Sequence, residues 1–221
     1  CRPQPMLSDI EFDIDGSLIL AFMDRTGHQT GFGQPGTNGQ PLGNGYVGGD
    51  LLRLADQAGV YILENNGTTI NGGGCGPSAS NPQGPGTGEY YCGENFTGNI
   101  GGGQSGEIHQ ETSIGALAFL KGTGEIALNV MDPINIFSNG TNWLNNSTGN
   151  DTRNYEVFGT IGGDPGTFGK AAGLGDLQLL CDPAPIEIGN YVWLDENRDG
   201  IQDPGEDPIP NIWVVLTDAN K

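Results

Sequence analysis

Asp195 to Glu206, DENRDGIQDPGE, places an acidic or amide side chain at its first, third, fifth, ninth and twelfth positions and glycine at its sixth. Carboxylates crowded this closely repel one another unless a cation sits among them. Calcium takes about six to eight oxygen ligands, and a twelve-residue loop supplies them from positions 1, 3, 5, 7, 9 and 12, with glycine at 6 for the sharp turn. Here those donors are Asp195, Asn197, Asp199, the Ile201 carbonyl, Asp203 and Glu206, with Gly200 at the turn. The spacing predicts one bound Ca²⁺; the competing reading is a solvated acidic turn without an ion. Because protein fills all six positions, the ion's expected role is to stiffen the fold, not to do chemistry.

The flanks do not have the character of a helix–loop–helix site. IEIGNYVWL alternates as a strand, and Pro204, Pro208 and Pro210 forbid a helix continuing from the loop. The loop therefore joins strands. With its flanks it resembles, over residues 186–218, the opening of an SdrD B-like domain, the Cna-B-type calcium-binding sandwich found in tandem on bacterial surface adhesins. That resemblance implies an Ig-like β-sandwich with structural calcium. Residues 8–182 more weakly resemble the region that precedes such domains in large secreted bacterial proteins. The runs DIEFDIDGSLILAFMDRTGHQTG, IGALAFLKGTGEIALNVMDP and FGKAAGLGDLQLLCDPAPIEIGN carry this second likeness, which implies location and architecture only.

The 221 residues carry 40 glycines and 14 prolines among short, β-branched apolar runs, a pattern of many strands joined by turns. FDIDGSLILAFMDRTG (12–27) and FLKGTGEIALNVMDPIN (119–135) repeat one another. Gly16 and Gly124, like Met23 and Met131, stand 108 residues apart. GDLLRLAD and GVYILENNG follow the first copy, and TNWLNN and NYEVFGT follow the second. The unit reads as four antiparallel strands repeated twice, over about 8–70 and 110–182, as propeller blades are built. The surplus length falls in loops 28–48 and 67–110, and LGDLQLLC reads as the last strand. A small β-sandwich of the same strands is the alternative. Pro183 and Pro185 form a stiff hinge, so the expected domains are 1–183, propeller-like, and 184–221, the first part of the B-like sandwich.

Twenty-seven acidic residues against eight lysines and arginines give a net charge of −19. Phosphate backbones and anionic membranes need clustered cations, so nucleic acid is excluded as a partner. No apolar run is long enough to span a bilayer. The chain opens at Cys1 and stops in a strand-like run, which suggests a piece of something longer; lipidation of Cys1 is disfavoured by Arg2 and Pro3. Four cysteines in an acidic, loop-rich chain suggest an oxidising, extracellular setting. Cys75 and Cys92 bracket one loop, and Cys1 and Cys181 would then pair by elimination; metal binding lacks CxxC spacing. Sequons at Asn66, Asn95, Asn139, Asn145, Asn146 and Asn150 are possible glycan acceptors where the source has the machinery.

No catalytic arrangement emerges. His28 and His109 lie in glycine-rich segments, and neither an HExxH nor a G-x-S-x-G motif is present. GGDPGTFGKAA lacks the phosphate-loop glycine at Asp164 and has Ala171 where Ser or Thr would hold magnesium. Asp13, Asp15 and Asp24, or Glu107 and Glu111, could supply a carboxylate pair, but turns and strand ends explain them better. Asp13 and Asp15 could join a second calcium site, although their hairpin lacks further ligands. Tyr90, Tyr91 and Trp143 could stack on sugars or cover a small core. The sequence thus points to a non-enzymatic segment of a secreted or surface-displayed bacterial structural protein: an adhesin, stalk or filament subunit. Its partners would be other copies or domains of that protein. The alternatives are a carbohydrate-binding module and, after that, a propeller-type hydrolase.

Overall fold

The computed structural model of the chain describes residues 4–30, 36–40, 48–77, 83–101, 104–119, 121–159, 174–180, 192–196, 205–213 and 215. Two compact units emerge, Cys1–Pro183 and Ala184–Lys221. The first is all-β apart from short helical turns. Strands β1 (Pro5–Phe12), β2 (Leu18–Asp24), β3 (Asp50–Gln57) and β4 (Val60–Leu63) form one antiparallel sheet in that order. A two-stranded hairpin, β5 (Phe96–Gly101) and β6 (Gln104–His109), precedes β7 (Ser113–Phe119), β8 (Glu125–Met131), β9 (Asn139–Asn145) and β10 (Asp151–Phe158). These last four make a second antiparallel sheet, again in sequence order. Helix α1 (Arg25–Thr30) follows β2, and a 3₁₀ turn covers Pro85–Thr87.

Each sheet is a meander: short connections join β1 to β2, β3 to β4, and β7 through β10 in turn, whereas the longer segment 25–49, which begins with α1, joins β2 to β3. Gly16 and Gly124 occupy matching β1–β2 and β7–β8 turns at φ of +83° and +76°, where a Cβ would be strained. Between β3 and β4, Ala58 and Gly59 both sit at positive φ, the requirement of a two-residue type I′ hairpin.

Alternation then decides the faces. In β2 and β3, Ile19, Ala21, Leu51, Arg53 and Ala55 are buried on one face, and Leu20, Leu52 and Leu54 between them are half-exposed. In β8 and β9, Ile126, Leu128, Val130 and Leu144 are buried, and from Leu128 to Met131 both faces of β8 are covered. One hydrophobic cluster draws on both sheets and adds Tyr90, Tyr91, Leu117 and Phe119. Strand β7 is buried along its whole length and is bound to the first sheet by side chains. Ser8 Oγ donates to Gly115 O at 2.6 Å, Leu117 N donates to Asp9 Oδ2 at 3.0 Å, and Gly49 N donates to Ser113 O at 2.9 Å. Two sheets closing on one core is a two-layer arrangement; the described strands form no closed ring.

Two sequence expectations change here. Loop 67–110 contains the β5–β6 hairpin, whose FTGNIG and QSGEIH strands are glycine-weakened and so carried little strand signal. Residues 174–180, read as a closing strand, form none; Gly175 O instead accepts from Asn129 Nδ2 at 2.9 Å. Cys75 and Cys92 are disulfide-bonded with Cα atoms 6.0 Å apart, whereas Cys1 and Cys181 lie outside the described residues.

The disulfide closes a segment that delivers Glu89, Tyr90 and Tyr91 to the interior. Cross-linking a loop of this length removes unfolded-state entropy worth about 3 kcal/mol. The double variant Cys75→Ser/Cys92→Ser is expected to lose about that much stability in a denaturant titration under oxidising conditions. Unchanged stability would show that the bridge does not constrain the chain.

Candidate metal centre

In the second unit, Ile209 N donates to Val192 O at 2.8 Å and Leu194 N donates to Asp207 O at 3.0 Å. With Trp193 bridging Pro208, these bonds clamp the base of the acidic loop between two antiparallel arms. Asp195 and Glu206, its first and last expected ligands, stand just inside the clamp, where Glu206 Oε1 accepts from Glu196 N at 3.0 Å. The clamp brings the ends of the twelve-residue loop together, as a chelating loop requires, and both described donors are carboxylates suited to a hard cation. Asn197, Asp199, Ile201 and Asp203 lie outside the described residues.

The first unit holds a carboxylate group that the sequence did not single out. Asp50 opens β3, Glu94 follows the disulfide, and Glu111 precedes β7. One oxygen from each lies within 4.8 Å of the others. Glu94 is fully buried; its Oε1 accepts from Leu51 N at 2.9 Å, and its Oε2 meets no donor among the described residues. Its carboxyl is within hydrogen-bonding reach of that of Glu111. Glu64 and Glu89 repeat the pattern close by: each is buried, each gives Oε1 to a backbone N–H (Arg53 and Tyr91, both at 3.2 Å), and each leaves Oε2 without a described donor.

Burial has the expected electrostatic consequence. Desolvation pushes the Asp50 carboxyl up to about 6. Burial, followed by the charge of Glu89, raises Glu64 to about 8, and burial with the charge of Asp50 raises Glu89 to about 8. Burial, then Glu111, lifts Glu94 well above the carboxylate range. Only Glu111 had drawn notice in the sequence, as a partner for Glu107, whose side chain is outside the described set.

Arg53, on β3 and 5% exposed, is the cation of the interior. It donates to Asp13 Oδ2 at 2.6 Å through one terminal nitrogen and to Asn146 Oδ1 at 2.6 Å through the other. Asn146 Nδ2 donates back to Asp13 Oδ2 at 2.7 Å, and Tyr91 Oη donates to Asn146 Oδ1 at 2.9 Å. Asp13 and Asp15 therefore face an arginine instead of contributing to a second calcium site, with Asp15 Oδ2 3.5 Å from the guanidinium. A polar cleft opens beside this knot, lined among others by Ile14, Asn71, Tyr90 and Ser147.

The remaining sequence candidates separate by burial. Tyr90 and Tyr91 are core residues, 2% and 0% exposed, so neither offers a face to a sugar. Trp143 lies under the Arg153 guanidinium, 4.5 Å from its ring centre. Asn139 and Asn146 are buried and cannot carry a glycan in this fold, whereas Asn66 and Asn150 are exposed and Asn95 and Asn145 are half-buried. His109, at the end of β6, places Nδ1 2.9 Å from Asp132 Oδ2 and stacks on Phe96. Residues 162–172, with the phosphate-loop-like run, lie outside the described set.

Comparison with known proteins shows similarity of two kinds. Residues 186–221 match the SdrD B-like domain family. Along almost its whole length the chain is similar to two Dictyostelium discoideum proteins: Colossin-A, 33% identical over 99% of this chain, and Colossin-C, 32% identical over 97%. It spans 2% of the first and 20% of the second. Over 39 residues, 18% of this chain and 2% of that protein, it is 46% identical to serine-aspartate repeat-containing protein I of Staphylococcus saprophyticus. No solved structure matches.

Two predictions follow from the interior charges. Removing one partner of a buried ion pair strands the other, so Arg53→Met should cost about 3–5 kcal/mol in chemical denaturation; a loss below about 1 kcal/mol would mean the knot is not structural. The second concerns pH in the presence of chelator. Glu64 and Glu89 titrate near 8 in the fold, above their ordinary 4.5, so the folded chain holds more protons than the unfolded one between these limits. Their contribution is complete below about 4.5 and declines as pH rises toward 8. Melting temperature should therefore be lower at pH 8 than at pH 5, and Glu89→Gln should flatten the difference.

Proposed function

We propose that this chain is a non-catalytic segment of a secreted or cell-surface structural protein, an adhesin, stalk or extracellular filament subunit. In this reading it assembles with other domains or copies of the same protein. The observation that carries the reading is the pairing, in one acidic chain, of a disulfide-stapled β unit with an SdrD B-like module. A disulfide persists in oxidising compartments. The chain-long similarity to proteins up to about fifty times its length favours a repeated or modular context. Two consecutive four-stranded meanders also suit neighbouring blades of a larger propeller. The chain-long relatives are from Dictyostelium discoideum and the staphylococcal similarity covers only 39 residues, so the reading does not hang on a bacterial source.

Within the B-like module, Asp195, Asn197, Asp199, the Ile201 carbonyl, Asp203 and Glu206 would hold Ca²⁺ and stiffen the loop between its clamped arms. A carbohydrate-binding role is less well supported, because two of its three aromatics are core residues and the third is covered by an arginine.

The test has two arms. Antibody raised against residues 1–183 should label intact, unpermeabilised cells of the source; labelling only after permeabilisation would sink the surface assignment. Calcium at tenfold above its dissociation constant should stabilise the B-like module by about 1.4 kcal/mol, with magnesium much weaker because it demands tighter octahedral geometry. In melts of the whole chain, Asp199→Ala should abolish that module's response. An unchanged response would leave the loop a solvated turn.

A further inference from the structure

The first unit solves an electrostatic problem in an unusual place. Five carboxyl groups, from Asp50, Glu64, Glu89, Glu94 and Glu111, share one region of its interior. Of the arginines among the described residues, Arg53 is held by Asp13 and Asn146, and Arg153 pairs with Glu125. No lysine, arginine or histidine among the described residues offsets Asp50 or Glu89. Three buried glutamates each direct one oxygen to a backbone N–H, which fixes the side chain; the second oxygen of each makes no well-formed hydrogen bond among the described residues, and the Glu94 carboxyl otherwise faces that of Glu111. Orphaned buried oxygens are costly, because burial removes water without supplying a replacement.

We propose that Asp50, Glu94 and Glu111 bind a divalent cation, calcium by chemistry, in the interior of the first unit. Their donor atoms lie within 4.8 Å of one another, so a point among them stands within about 2.8 Å of all three, a small side-chain adjustment from calcium's range of about 2.3–2.6 Å. Magnesium, at about 2.1 Å, would need them closer together. The donors are all oxygen, which disfavours zinc and copper. Glu94 is anchored by Leu51 N, the neighbour of Asp50, so the strand that carries one ligand also orients another.

The three ligands come from three separate parts of the chain. Asp50 starts β3 in the first sheet, Glu94 sits just past the disulfide, and Glu111 leads into β7 of the second sheet. An ion there would cross-link both meanders and the stapled segment at one point. The site is distinct from the 195–206 loop and does not depend on it.

Equilibrium dialysis of the whole chain against calcium separates the two. The Asp199→Ala chain, with the B-like loop disabled, should still bind one Ca²⁺. Adding Glu94→Gln should remove that ion or weaken it roughly tenfold or more, since a charged ligand becomes a neutral amide. In chelator, Glu94→Gln should melt at or above its parent, because it relieves buried repulsion; with calcium at tenfold above its dissociation constant the parent should gain about 3–6 °C and the variant should not. If Glu94→Gln does not fold, Asp50→Asn takes its place with the same expectations. A folded Asp199→Ala chain that binds no calcium would overturn the proposal. So would undiminished binding in the Glu94→Gln and Asp50→Asn chains, the former result meaning that Glu94 and Glu111 simply share a proton.

Discussion

The buried guanidinium of Arg53 is the point on which the first unit turns. It lies on β3 of one meander and reaches Asp13 in the β1–β2 turn of the same sheet. Through its other nitrogen it reaches Asn146 at the end of β9 in the second sheet. Asn146 is in turn held by Tyr91, which the disulfide segment delivers to the core. One cation thus joins both sheets and the long connection between them. A buried charge is tolerated only when paired and fully hydrogen-bonded, and here each partner is itself bonded to another member of the knot. The same network consumes two residues that invite other readings: Asp13 as an ion ligand and Asn146 as a glycan acceptor.

A chain so rich in acid and poor in base must dispose of its negative charge, and it does so in two ways. Among the described residues most carboxylates are half-buried or exposed, where water still screens them. A minority are enclosed, and there the alternatives are to remain protonated or to receive a cation. The glutamates at positions 64, 89 and 94 are held by backbone N–H groups, so their positions are determined by the strand and loop geometry and not by a counter-ion. Enclosed carboxyls fixed in this way make the stability of the fold depend on pH.

The two proposed cation sites draw their oxygens from the chain in different ways. In the B-like module the oxygens come from one continuous loop, clamped at its base by two main-chain hydrogen bonds. In the first unit they come from segments more than forty residues apart in the case of Asp50 and Glu94, brought together by the packing of two sheets. A continuous loop can be recognised by its spacing; a discontinuous group cannot.

That difference sets what the sequence by itself determined. The 108-residue repeat, the glycines at positive φ, the alternation in β2, β3 and β8 and the cysteine pair are local or periodic signals, and from them the two four-stranded meanders could be read. The β5–β6 hairpin escaped because glycine-rich strands lack the β-branched signal that pattern reading relies on. The residues 174–180 misled for the opposite reason: an apolar run looks like a strand whether or not a neighbouring edge exists to pair with it. What only the tertiary structure decided was which polar side chains would be enclosed together. Arg53 with Asp13 and Asn146, and Asp50 with Glu94 and Glu111, are contacts made by sheet packing, and no spacing along the chain encodes them, because the free energy that enforces them is the burial of the shared core.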